Sequence, residues 1–134
     1  MMKLITRNTD YALRALCFMA KDKKGRVFSV TDLSRKLKIP HPFLRRIFQV
    51  LDKKGILKSY KGRKGGFILK QNPENIFLWD LIKIFQGEPD LEECFFKNRL
   101  CPDIRRCLLR KKLLEMENYI VSQLKSLTVN SLLS

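Results

Sequence analysis

Apolar residues recur at helical spacing along most of the chain, and the breaks between the runs divide it into elements. Ala12, Ala15, Leu16 and Met19 form the first stripe, which predicts a helix from about Thr9 to Lys21 capped by Asn8 or Thr9. Asp10 falls in its first turn, where a carboxylate suits the helix dipole. Cys17 lies on or beside the apolar side and reads as an inert buried thiol. After a turn over residues 21–26, Ser29-Val30-Thr31-Asp32 has the pattern of a capping box. It opens a short helix whose inner face is Val30, Leu33 and Leu37, and Pro40 stops it. Pro42 suits the first position of the next helix. There Phe43, Leu44, Ile47, Val50 and Leu51 line one side, while Arg45, Gln49 and Lys53 step along the other at intervals of four. Two short helices about a tight turn, the second presenting long polar side chains, predict a helix-turn-helix.

Gly55 closes that helix, and Ile56–Tyr60 and Phe67–Lys70 read as strands. Between them Lys61-Gly62-Arg63-Lys64-Gly65-Gly66 is a basic, glycine-rich hairpin tip. Asn72-Pro73-Glu74 is a turn. A further helix is expected from Asn75 to Gln86, capped by Asn75 and closed by Gly87. It is apolar on most faces, as suits an element wedged between two others. The last run predicts a long helix over Pro102–Leu127, with Leu109, Leu113, Met116, Ile120, Leu124 and Leu127 spaced by three or four. So small a head cannot cover that stripe, and an antiparallel second copy is the expected cover. The fold class is therefore mainly α: a winged helix-turn-helix with a two-stranded wing and a long C-terminal dimerisation helix. The expected division is a DNA-binding head over 1–87, a cysteine loop over 88–107, the dimerisation helix over 102–127 and a frayed tail over 128–134.

Charge sharpens this picture. The 134 residues, one domain's length, carry 28 Lys and Arg against 13 Asp and Glu, a formal net charge of +15. Such a surplus points to a polyanion, either nucleic acid or an anionic membrane surface. Ser29–Lys70 holds 12 basic residues against Asp32 and Asp52, so this segment carries +10 of the total. The excess sits where the motif meets phosphates; a merely solvated basic face is the plainer alternative. The expected contacts with double-stranded operator DNA are Arg45, Arg46, Gln49, Lys61, Arg63 and Lys64, with Arg45 and Arg46 at base edges and Lys61 and Arg63 of the wing at phosphates or in the minor groove. An acid and an arginine early in the chain exclude a secretory leader. No run nears the roughly 18 apolar residues of a membrane span. A cytoplasmic location, no membrane partner and a reducing environment are expected. No carboxylate pair, phosphate cradle or nucleophile partner for His41 stands out, so neither an enzyme nor a small-molecule substrate is expected.

Three of the four cysteines cluster: Cys94, Cys101 and Cys107, with six residues in the first gap and five in the second. Pro102 and Asp103 open the expected long helix, placing Cys101 and Cys107 near its N-terminal end, where the dipole favours thiolate. Arg105 and Arg106 add positive charge. Such a set can hold one soft metal centre, although zinc usually takes closer cysteine pairs. Free or redox-switching thiols, a zinc site and an iron–sulfur cluster all remain open on spacing alone. A small basic interaction protein with a thiol or zinc site, binding RNA or a protein, is the alternative to a DNA-binding sensor.

The opening Thr9-Asp10-Tyr11-Ala12-Leu13-Arg14, the helix-turn-helix, the Lys61–Phe67 wing and the cysteine trio ahead of a long helix resemble the Rrf2 family of winged-helix regulators. The resemblance covers nearly the whole chain, to about Leu127. It implies a homodimeric transcriptional regulator, a repressor in this reading, whose three cysteines ligate an iron–sulfur cluster (2Fe-2S or 4Fe-4S). The chain departs from the family's spacing, which has five residues in both gaps. Members of the IscR type add a histidine three residues after the last cysteine, where this chain has Arg110. Members of the NsrR type use an aspartate of the opening helix from the other subunit. The resemblance therefore implies Asp10 as fourth ligand and Arg14 as its neighbour, with nitric oxide, redox state or cluster status as the signal.

Overall fold

The computed structural model describes residues 5–22, 26–63, 65–87 and 108–133. Within them the order is α1 (Arg7–Ala20), α2 (Val30–Leu37), α3 (His41–Lys53), β1 (Leu57–Tyr60), β2 (Gly66–Leu69), α4 (Leu78–Gln86) and α5 (Leu108–Ser126). β1 and β2 pair antiparallel with Leu57 opposite Leu69 and Tyr60 opposite Gly66. Phe28 adds a single bridge to Phe67 on the outer side of β2. The architecture is a helix-turn-helix with a two-stranded wing, followed by a long C-terminal helix, as the periodicity predicts.

The core lies where α1, α3 and α4 meet beneath the wing. Ala12, Ala15, Leu16 and Met19 of α1 are all buried, so the first predicted stripe is the true inner face. Their small residues let α1 sit close to its neighbours. In α3 the buried set is Leu44, Ile47, Phe48 and Leu51, which differs from the predicted face. Phe43 is exposed and Val50 half-buried, whereas Phe48 is fully buried. Positions 44, 47, 48 and 51 follow the spacing i, i+3, i+4, i+7 that defines one helical face. Phe43 falls off that face and looks outward.

Several helix ends differ from expectation. Ser29 does cap α2, its side chain accepting from the Asp32 N–H. α1 starts at Arg7, not Thr9, with Thr6 as its cap residue and no side-chain cap bond of its own. α3 begins one residue ahead of Pro42, at His41 after Pro40. Asn72, not Asn75, is the capping asparagine: its side chain accepts from the Glu74 N–H at 3.0 Å and opens a single 3-10 turn. Ile76 and Phe77 then run extended, and α4 begins only at Leu78.

The extended stretch is held by the C-terminus. Phe77 bridges Thr128; the Leu78 N–H donates to the Leu127 carbonyl at 2.9 Å and the Val129 N–H to the Ile76 carbonyl at 2.8 Å. Val129 is fully buried in the core, and Thr128 and Ser131 close a small hydrogen-bonded turn. The expected frayed tail is thus a seated segment over Thr128–Leu133, because one valine finds apolar cover and the backbone finds partners. Cutting the chain after Leu127 removes the burial of Val129 and its bond to the Ile76 carbonyl, a loss of about 2–4 kcal/mol. The expected result is a thermal midpoint lower by roughly 10 °C, read by circular dichroism; an unchanged midpoint contradicts the seating.

α5 has no fully buried residue. Leu108, Leu109, Met116 and Tyr119 are exposed, Leu108 by 69%, while its C-terminal end packs on α4, with the Lys125 Nζ 5.4 Å from the centre of the Trp79 ring. Residues 102–107 of the predicted long helix lie outside the described residues. No helix among the described residues is long and apolar enough to cross a membrane.

Candidate nucleic-acid interface

The helix-turn-helix is fixed by its turn. Lys38 ends α2 in the left-handed region at φ 56, unusual for a residue with a Cβ. The Ile39 N–H donates to the Ser34 carbonyl at 3.1 Å, and the Ser34 hydroxyl donates back to the Ile39 carbonyl at 2.7 Å. With Ile39 buried beside Leu33 and Leu44, α3 can leave the turn in one direction only. His41, at its start, lies with Nε2 3.4 Å from the Thr31 Oγ1.

The wing is fixed by α3 and by residue 28. Phe48 and Phe67 meet edge to face at 5.1 Å, so α3 holds the second wing strand directly. Phe28 and Phe67 exchange two backbone hydrogen bonds of 2.8 Å. That close approach needs Gly66: a Cβ there would fall on the Phe28 carbonyl. At the tip Gly62 takes φ 114, which lets the Gly65 N–H donate to its carbonyl at 3.0 Å.

Between α3 and the wing lies a cleft of about 960 Å³, and it gathers Arg45, Arg46, Gln49 and Lys53 from α3 with Ser59, Tyr60 and Lys61 from the wing. All seven are exposed. Among the described residues no carboxylate lies within ion-pair distance of Arg45, Arg46 or Lys61. Asp52, also on the lining, takes a hydrogen bond from the Ser59 hydroxyl at 3.4 Å. Of the residues expected at DNA, Arg45, Arg46, Gln49 and Lys61 therefore share one concave basic face. Arg63 is exposed at the hairpin tip, outside the lining, and Lys64 lies outside the described residues. Sequence reasoning missed Ser59 and Tyr60, although their place in a strand directly ahead of the basic tip is a usable signal. The Lys58 Nζ sits 5.4 Å from the Tyr60 ring centre.

An Arg45→Ala variant is expected to lose about 1–3 kcal/mol at the cognate site and to tolerate base changes there. Lys61→Ala is expected to weaken binding to all sequences alike and to flatten the salt dependence by about one unit of slope. Anisotropy titrations on cognate and random duplexes at several salt concentrations separate the two. Equal losses on both duplexes for Arg45→Ala sink its base-reading role.

A second recess, of about 490 Å³, lies at the start of α1 and is lined by Ile5, Thr6, Arg7, Asp10, Tyr11, Arg14 and Lys38. Arg14 Nη2 stands 3.1 Å from Asp10 Oδ2, with the side chains 56% and 43% exposed. Asp10 and Arg14 are thus an ion pair that is partly open to solvent. Lys38 of the helix-turn-helix turn joins this recess, a neighbour that no local pattern predicts. Cys17 is half-buried, and desolvation raises its thiol pKa, with Lys21 pulling the other way. Cys94, Cys101 and Cys107 lie outside the described residues. Among the described residues no three His, Cys, Asp or Glu side chains gather as metal ligands.

The family model named Rrf2, described as an iron-dependent transcriptional regulator, matches residues 5–134 of the chain. A protein of Aquifex aeolicus assigned as a helix-turn-helix transcriptional regulator is 32% identical over 126 residues, spanning 92% of this chain and 87% of its own length. The transcriptional regulator NsrR of Shouchella clausii is 33% identical over 91 residues, spanning 68% of this chain and 61% of its own. Among solved structures, CymR, the global cysteine regulator of B. subtilis, superposes with a TM-score of 0.77 at 22% identity. That match covers 99% of this chain and 97% of CymR, and shows a shared fold.

Proposed function

This chain belongs to the Rrf2 family of transcriptional regulators, which are not enzymes, and we propose that it is a repressor whose hold on a DNA operator is set by an iron–sulfur cluster. The observation that carries the reading is the donor set: Cys94, Cys101 and Cys107, three soft ligands directly ahead of α5, in a chain that also presents the open Asp10–Arg14 pair. Three thiolates and one carboxylate fit a cluster's preference for sulfur with a single weaker position. Cys17 fits poorly, because burial favours its neutral thiol.

The chain's own residues divide the work. Arg45, Arg46 and Gln49 read base edges, and Lys61, Arg63 and Lys64 hold phosphates. The exposed apolar residues of α5 are covered by α5 of a second copy, which makes the protein a homodimer. Asp10 of one subunit closes the ligand set of the other, and Arg14, at 3.1 Å, orients its carboxylate. When bound, the cluster supplies reactivity toward nitric oxide and oxidants. Were such a ligand set to release Asp10, the start of α1 would be held by its own subunit alone, and the head packed on α1 would shift relative to its twin. Two heads must match half-sites a helical turn or a multiple apart, so a small shift costs affinity. The effect is bounded by the difference in affinity between the two states.

Anaerobic purification with iron and acid-labile sulfide analysis tests this directly. Iron with matching sulfide is the expected result; zinc without sulfide, or thiols without metal, overturns it in favour of a metal-site or thiol-based regulator.

A further inference from the structure

α1 carries Asp10 in its first turn, yet its cap residue Thr6 makes no side-chain cap bond. The cap comes from the far end of the head. Gln86, the last residue of α4, accepts the Thr6 N–H at 2.9 Å and the Thr9 hydroxyl at 2.6 Å, both at Oε1. A backbone N–H can only donate, so the atom facing it must be the amide oxygen. Thr9 is fully buried, which makes its hydroxyl costly to leave without an acceptor. The Asp10 N–H in turn donates to the Thr6 carbonyl at 3.0 Å. Gln86, Thr6 and Asp10 thus form one run of hydrogen bonds. On the other side of Gln86, Gly87 closes α4 at φ 77, and the chain enters the residues that bear the cysteines.

We propose that Gln86 is a positioning residue that ties the end of α4 to the start of the Asp10 helix within one chain, through Thr6 and Thr9. The carboxylate of Asp10 is thereby set from its own subunit as well as by whatever it ligates. This rests on the cluster reading above for its regulatory meaning, but the tie itself does not.

Two variants and two readouts test it. Gln86→Ala removes the acceptor; Gln86→Glu keeps an oxygen for both donors and suits a helix N-terminus. In the metal-free protein, amide exchange at Thr6 and Asp10 is expected to rise at least tenfold in Gln86→Ala and to return to within threefold of the starting value in Gln86→Glu. Unchanged exchange in Gln86→Ala overturns the tie. In the cluster-loaded protein, Gln86→Ala is expected to keep its visible absorption and its metal-free operator affinity within twofold. The ratio of loaded to metal-free affinity is expected to fall at least fivefold toward one, with Gln86→Glu recovering most of it. An unchanged ratio, or equal losses in both states, overturns the positioning role and leaves a structural cap. A wild-type protein without cluster absorption sinks the cluster reading instead, and the exchange measurement still decides the tie.

Discussion

Replacing Cys94, Cys101 or Cys107 by alanine, one at a time, is expected to abolish the visible iron–sulfur absorption of anaerobically purified protein, while Cys17→Ala retains it. The expected effect is all or none because each of the three cysteines fills one position of the proposed set and the chain has only one other, Cys17. The remaining cysteine, Cys17, sits on α1 among core neighbours, with its thiol pKa raised by burial. A thiol held neutral neither ligates readily nor exchanges. Asp10→Ala belongs to a different class, since a carboxylate is the weaker partner for iron in a sulfur-rich set; it is expected to leave a paler, more labile cluster. Ultraviolet–visible spectra of the five variants, with iron quantified in parallel, give the outcome. A bleached Cys17→Ala together with a coloured Cys101→Ala overturns the ligand set.

Phe48→Ala is expected to destabilise the head by about 3–5 kcal/mol, the range for deleting a fully buried aromatic. Phe48 is 0% exposed and packs edge to face on Phe67 at 5.1 Å. The ring therefore fills the core and braces the second wing strand against the recognition helix. Such a loss is a large share of the 5–15 kcal/mol that typically holds a domain together. Phe48→Leu, which keeps most of the volume, is expected to cost about 1.5 kcal/mol or less. Denaturant unfolding of both variants, followed by helical circular dichroism, supplies the comparison. A Phe48→Ala loss below 1 kcal/mol would contradict its place as the central brace.

How much of this was legible beforehand follows from the range of each interaction. Helix periodicity is local, so the stripe Ala12, Ala15, Leu16 and Met19 named the buried face of α1 correctly. The same rule, applied to 44, 47, 48 and 51, could have found Phe48 and left Phe43 outside. The Ser29 cap is also local, its partner Asp32 lying three residues on. The hairpin followed from its glycine-rich tip, and the basic face from the charge of Ser29–Lys70. The cysteine trio was legible as a donor set because ligand chemistry depends on residue type; its geometry lies outside the described residues.

Tertiary structure decided what depends on partners far away in sequence. Thr6 and Gln86 are 80 positions apart, so no local pattern could have moved the start of α1 to Arg7. Ile76 and Phe77 read as helix until Thr128 and Val129 arrive to pair with them. Their backbone groups then gain hydrogen bonds and Val129 gains full burial, which outweighs one more helical turn in α4. Lys38 stands beside Asp10 and Arg14 only because α2 packs across α1. A sequence sets which faces are apolar and which side chains can donate, accept or ligate. Which of these meet is settled when the chain closes, because burial and hydrogen bonding reward whatever distant group completes the contact.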